Sequence, residues 1–165
     1  MIAEKSEWKG HDLTLYWIRT DKHKLISPIW QVSAFCFDEE GQILLIRSSD
    51  GMKWVIPGGT PEEGEKFEET LIREVQEEAS CIVGGLRLLG AVKVHFPDNP
   101  DRDQGDNFYQ LRYFARIQRI DEQTEDPALG IRRDRVFVKP EDFFKYIDYN
   151  KRINSEILRL AKEFI

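Results

Sequence analysis

Histidine, methionine and cysteine are scarce in this chain: three, two and two among 165 residues. His11, His23 and His95 show no mutual metal-ligand spacing, which leaves a zinc centre without donors. Cys36 and Cys81 are too few for a disulfide framework, and two isolated thiols without an export signal read as reduced core residues. No apolar run approaches the roughly 20 residues that cross a bilayer. The first fourteen residues hold no apolar stretch of the signal-peptide type. A cytoplasmic location, away from membranes, is the default expectation. Positive charge is in deficit too, since 24 Lys and Arg against 30 Asp and Glu give a net charge of −6. Binding to a nucleic-acid duplex depends on Lys and Arg density and is not expected. A single nucleotide held through a metal is compatible with that balance.

What is present suits one domain with a real core, spanning residues 1–165. Residues 1–10 are polar and are expected to be loosely ordered, with Trp8 as their one docking group. Strands are expected at 13–18, 29–37, 42–47, 54–57, 86–96, 108–120 and 135–139, from β-branched and aromatic runs bounded by turn residues. Asp38-Glu39-Glu40-Gly41 reads as a hairpin turn, and Gly84-Gly85 as a point where the chain resets. Two polar loops, 97–107 and 121–133, break the second half. The first is a binding loop or a plain connection with about equal weight. Pro140-Glu141-Asp142 starts a helix, with Pro in its first turn and acids at its positive end. A terminal amphipathic helix over 154–164 turns Ile157, Leu158, Ala161 and Ile165 to one side. The economical assembly is α+β: a mixed β-sheet flanked by helices on both faces, an α/β/α sandwich.

The most informative stretch runs from Gly58 to Ile82, GGTPEEGEKFEETLIREVQEEASCI. Residues 66–79 lack Pro and Gly, and Phe67, Leu71, Val75 and Ala79 recur every four positions, which predicts a helix. Leu71, Ile72, Val75, Ala79 and Ile82 are expected on its apolar stripe. Glu74, Glu77 and Glu78 fall at i, i+3 and i+4 on one flank, where like charges destabilise a helix by a few tenths of a kcal/mol. Arg73, four residues before Glu77 and four after Glu69, offsets part of that cost. A hard divalent cation such as Mg²⁺, or Mn²⁺ in its place, offsets the rest, since such ions take carboxylates, waters and substrate phosphates. A solvated acidic face is the bland alternative for a charge run. Ahead of the helix, Pro57-Gly58-Gly59 lets backbone approach a ligand closely.

The spacing of Gly59, Glu65, Arg73, Glu74, Val75, Glu77 and Glu78 matches G-x5-E-x7-R-E-U-x-E-E-x-G-U, with U a bulky aliphatic. It resembles the Nudix box of the Nudix hydrolases. The runs WQVSAFCFDEEGQILLIRSS and WVIPGG before it, and RVFVKPEDF near the end, extend the likeness over about residues 29–145. Ser80 replaces the closing Gly and Cys81 stands at an aliphatic position. Ser80 forgoes the easy left-handed cap of Gly, so a strained or reshaped turn is expected there.

The resemblance implies the α/β/α sandwich and a metal-dependent hydrolase. Such enzymes cleave the pyrophosphate bond of a nucleoside diphosphate derivative, such as a nucleoside triphosphate, ADP-ribose or a nucleotide sugar, by water attack on phosphorus. It places Glu74, Glu77 and Glu78 as metal ligands, with the Gly58 carbonyl beside them. Glu74 and Glu77, with Arg73, form the catalytic set, and Glu65 and Arg73 orient the cluster. The general base stays open between Glu74 and a loop acid, with Glu122, Glu125, Asp126 and the aspartates of 98–106 as candidates. Arg47 is a candidate phosphate contact, and Phe35 and Phe96 are candidates for stacking on a base, along with Phe108 and Tyr109. Core packing is the commoner fate of strand aromatics. Two rivals remain: a catalytically silent Nudix-like nucleotide sensor, and an isomerase similar to isopentenyl-diphosphate isomerase that needs a catalytic cysteine. A homodimer stays open.

Overall fold

The computed structural model describes residues 1–165. The backbone forms nine strands: β1 (Ile2–Trp8), β2 (His11–Arg19), β3 (Ile29–Phe37), β4 (Ile43–Arg47), β5 (Trp54–Val55), β6 (Gly58–Gly59), β7 (Cys81–His95), β8 (Asn107–Ile120) and β9 (Arg135–Val138). Three helices accompany them: α1 (Phe67–Ala79), α2 (Phe143–Tyr146) and α3 (Lys151–Ala161). The sheet order is β1-β2-β7-β8-β3-β4-β5, with β6 on β3 and β9 on β4. The β3–β8 pair is parallel and the other pairs are antiparallel, so the sheet is mixed as expected.

Side-chain alternation along β3 and β8 divides the core into two layers. Val32, Ala34, Cys36, Leu111, Tyr113 and Ala115 face α1, meeting Leu71, Val75 and Ala79. Ala34, Cys36 and Ala115 are small and leave room for the helix beside Leu111 and Tyr113. On the opposite face Phe35, Phe37 and Phe114 pack with Phe143, Ile153 and Ile157 from α2 and α3. Stacked pairs Phe35–Phe143 and Phe37–Phe114, each with ring centroids 5.6 Å apart, fill that deeper layer. Both cysteines are free and buried.

Four expectations need correction. Residues 2–8 are not loosely ordered, because they form an edge strand paired residue by residue with β2 from Ile2–Trp17 to Trp8–His11. The Glu4 carboxylate also accepts from the N–H groups of Arg152 and Ile153, capping the positive end of α3. Gly84-Gly85 does not reset the chain. The strand runs through it as a register irregularity of the long β7–β8 hairpin, which increases local twist without ending the pairing. Ile72 lies outside the apolar stripe, 39% exposed, and Ile82 belongs to β7.

Candidate active site

The N-terminus of α1 is built by the loop that precedes it. Glu69 accepts from the Lys66 N–H at 2.9 Å, closing the first turn, and Glu68 and Glu69 complement its positive end. Glu65 accepts from the Glu62 N–H and the Thr70 hydroxyl. It also takes both prongs of Arg73, Nε to Oε1 at 2.8 Å and Nη2 to Oε2 at 3.1 Å. That fork fixes the guanidinium as few other contacts can. Arg73 Nη1 then reaches Glu74 at 2.8 Å and Glu77 at 3.3 Å.

Two close approaches require the glycines. A Cβ on Gly59 would collide with the Glu74 carboxylate, and one on Gly58 with the Val32 carbonyl and Ser33. The Gly58 N–H donates to Glu78 Oε2 at 3.0 Å. Glu78 Oε1 accepts from Arg133 Nη1 at 2.7 Å, and the same nitrogen lies 3.3 Å from Asp126. Side chains of Arg133, Glu78 and Asp126 are 8%, 9% and 5% exposed, so this triad is nearly dry. Burial pushes the Glu78 carboxyl up to about 7, against the opposing pull of Arg133 and the Gly58 N–H. Burial likewise raises Glu74 above the usual carboxylate range, with Arg73 opposing it. The Arg73 fork holds Glu65 down at about 2.

Two clusters result: Glu65, Arg73, Glu74 and Glu77 in one, with Gly59 against Glu74, and Gly58, Glu78, Arg133 and Asp126 in the other. Ser80 keeps the left-handed conformation (φ 52°, ψ 41°) that the family's glycine would adopt. Its hydroxyl accepts from the Thr124 N–H at 3.1 Å and its carbonyl from the Asp121 N–H, which ties loop 121–134 to the helix end. Arg135 donates to the Ala79 carbonyl, satisfying the C-terminal end of α1.

Other expected residues lie elsewhere. Phe35 is wholly buried, stacked on Phe143 in the core. The Arg47 guanidinium lies 4.3 Å over the Trp54 ring. Glu122 and Glu125 are exposed and unpaired, whereas their neighbour Asp126 joins the buried triad. Phe96 lines a cavity of about 490 Å³ with Trp8, Trp30, Phe108, Tyr149 and Arg112. Loop 97–106 contributes Asp101 and Gln104 to that wall and folds around buried Asn99, whose amide donates to Gln104 and to the Gly105 carbonyl. Thr60 belongs to both places, because it lines the cavity and its carbonyl accepts from Arg73 at 3.4 Å.

Sequence reasoning missed Arg133 and Arg112. Arg133 stands 55 residues beyond Glu78, and no local pattern marks it. Arg112 does leave a signal: it is a charge on the strand face that also carries Phe108 and Phe114.

No three acidic, His or Cys side chains converge in metal-ligand geometry. Arg73 and Arg133 supply part of the counter-charge that the carboxylates need. The donor set still fits a hard divalent cation, for it is all oxygen and its two most buried glutamates are protonated more readily than usual. Carboxylates that two guanidinium groups leave under-compensated have room for more positive charge.

A mixed sheet between helices carries a glycine loop folded against a row of helix glutamates. The model of the NUDIX domain matches residues 28–160, and this chain belongs to that family of hydrolases. Diphosphoinositol polyphosphate phosphohydrolase 3-beta of Bos taurus is 34% identical over 136 residues, covering 80% of this chain and 77% of that protein. Diphosphoinositol polyphosphate phosphohydrolase 2 of Homo sapiens is 33% identical, covering 80% and 69%. The crystal structure of the Bacillus subtilis pyrophosphohydrolase BsRppH superposes with a TM-score of 0.73 at 24% identity, covering 99% of this chain and 97% of that one, a likeness of fold.

Proposed function

We propose that this chain is a divalent-metal-dependent hydrolase that cleaves the pyrophosphate bond of a nucleoside diphosphate derivative. Glu74, Glu77 and Glu78, with the Gly58 carbonyl, would hold Mg²⁺ or Mn²⁺. Such an ion would supply positive charge to the diphosphate and would lower the pKa of a water for attack on phosphorus. Glu65 fixes Arg73, and Arg73 keeps Glu74 and Glu77 in place until the substrate arrives. Gly58 and Arg133 hold the two oxygens of Glu78 from opposite sides. Glu74 is the preferred general base, because burial raises its affinity for the proton that the attacking water releases. Asp126 ranks above Glu122 and Glu125 as a loop acid, since only Asp126 shares a partner with a box glutamate.

The observation that carries this reading is the single network from Glu65 through Arg73 to Glu74 and Glu77. A silent sensor has no need of it. The isomerase reading weakens, because burial drives the thiols of Cys36 and Cys81 up, away from reactivity. The relatives' names favour a second substrate class, the diphosphoinositol polyphosphates, which carry the same scissile diphosphate.

A phosphate- and AMP-release screen tests both classes. It covers nucleoside triphosphates, ADP-ribose, nucleotide sugars, dinucleoside polyphosphates and a diphosphoinositol polyphosphate, with Mg²⁺ and with Mn²⁺. Turnover that needs the metal and drops about 10²-fold or more in Glu77→Gln supports the hydrolase. No turnover on any of them, with nucleotides still raising Tm, supports the sensor instead.

A further inference from the structure

The floor of the 490 Å³ cavity holds a cation that the protein does not neutralise. Arg112 sits in the middle of β8, on the face turned toward α3, and lines that cavity. Its guanidinium donates to the Gln110 side chain at 2.5 Å and to the Leu111 carbonyl at 3.2 Å. No carboxylate lies within ion-pair distance of it, whereas Arg73 and Arg133, the two cations on the box glutamates, each pair with two or more acids. Glu7 and Asp101 also line the cavity, but both are exposed. Asp101 moreover spends an oxygen on the N–H groups of its own loop.

Strand register completes the floor. Gln31 stands opposite Gln110 and Ser33 opposite Arg112, so all four residues share one face of the sheet. The Ser33 hydroxyl is buried and has no hydrogen-bond partner. A half-buried guanidinium with spare donors gains from an anion that meets it. Burial holds the Arg112 pKa down at about 10, which is the electrostatic trace of that missing partner.

We propose that Arg112, backed by Gln110 and Gln31, is a binding site for an oxyanion on the uncleaved part of the substrate. The inference deepens the hydrolase reading and rests on it for the identity of the ligand. The cavity touches the box at Thr60, so a substrate whose diphosphate lies at the glutamates can send its other moiety there. Trp30, Phe96 and Tyr149 on the walls suit a ring that carries the anion. This chemistry selects substrates with a second charged group beyond the cleaved diphosphate, a phosphate ester or a carboxylate, over those ending in a neutral group.

The test needs neither metal nor turnover. The whole protein is titrated in EDTA, at constant ionic strength, with inorganic phosphate and separately with acetate, and Tm is followed. Phosphate or acetate should raise Tm, and the stronger of the two names the class. Arg112→Gln should weaken that binding roughly tenfold or more, and Arg112→Lys should recover part of it. Gln110→Glu adds an internal carboxylate at hydrogen-bond distance. It should raise the resting Tm and abolish the response to the anion, which covers the case in which Arg112→Gln does not fold. Equal anion binding in wild type and Gln110→Glu overturns the proposal. So does an Arg112-dependent response to a neutral nucleoside with none to either anion. Loss of hydrolysis with anion binding intact would count against the hydrolase reading alone. Hydrolysis without anion binding would count against this site alone.

Discussion

Arg133 shows how much one side chain can hold. It bridges Glu78 and Asp126 and also donates through Nε to the Arg47 carbonyl, joining loop, helix and strand β4. Removing it leaves two carboxylates buried without a counter-charge, and such losses cost about 3–5 kcal/mol. Arg133→Ala should therefore lower stability by that amount in urea denaturation, while a substitution at exposed Glu122 changes it by less than about 0.5 kcal/mol. A loss below about 1 kcal/mol in Arg133→Ala would mean that the triad is wetter than it looks. At the same scale Phe35, a stacking candidate by residue type, belongs to the core because strand alternation turns it toward α2 and Phe143.

Among elements, the junction of α1 with loop 121–134 is decided at Ser80. A non-glycine residue in the left-handed region carries a conformational cost of about 1–2 kcal/mol. The bonds from Ser80 to Thr124 and Asp121 oppose it. Ser80→Gly should thus change global stability by less than about 1 kcal/mol, since relief of the backbone offsets the lost hydroxyl bond. Hydrogen exchange at the Thr124 amide should nonetheless speed up, because its acceptor is gone. Unchanged exchange there would show that the loop is held from elsewhere. The helix itself was readable from its four-residue period and its acids. The strand at residues 2–8 was not, because alternation in a polar edge strand has no apolar signal, and its partner β2 supplies the burial.

For the molecule as a whole, acid should be the weak side. The carboxyls of Asp50, Glu65, Asp121 and Glu156 are all held below their usual values, Glu65 at about 2 by the Arg73 fork. A carboxyl with a lower pKa in the fold binds fewer protons there than in the unfolded chain, so stability rises with pH across the gap. Glu65 contributes fully above its ordinary value of 4.5, and that contribution fades as pH falls toward about 2. Urea midpoints between pH 6 and 2.5 should fall mainly below pH 4.5, and Glu65→Gln should flatten part of that slope. A midpoint that holds steady through this window would contradict the Arg73–Glu65 pairing. Far-UV and tryptophan signals should move together, because both cores press on one continuous sheet.

The sequence by itself determined the helix, the glycine loop and the family, because those depend on spacings within about two dozen residues and on a fixed local geometry. It also determined the mixed sheet in outline, through runs of β-branched and aromatic residues between turns. Only the tertiary structure decided which carboxylates share a partner, that Asp126 and not Glu122 or Glu125 joins the network, and that Arg112 stands without an acid. Those facts follow from strand order, which brings β8 beside β3 and Arg133 beside Glu78 across long stretches of chain. Hydrophobic alternation fixes which face a residue takes, but charge pairing across 55 residues is settled when the sheet closes.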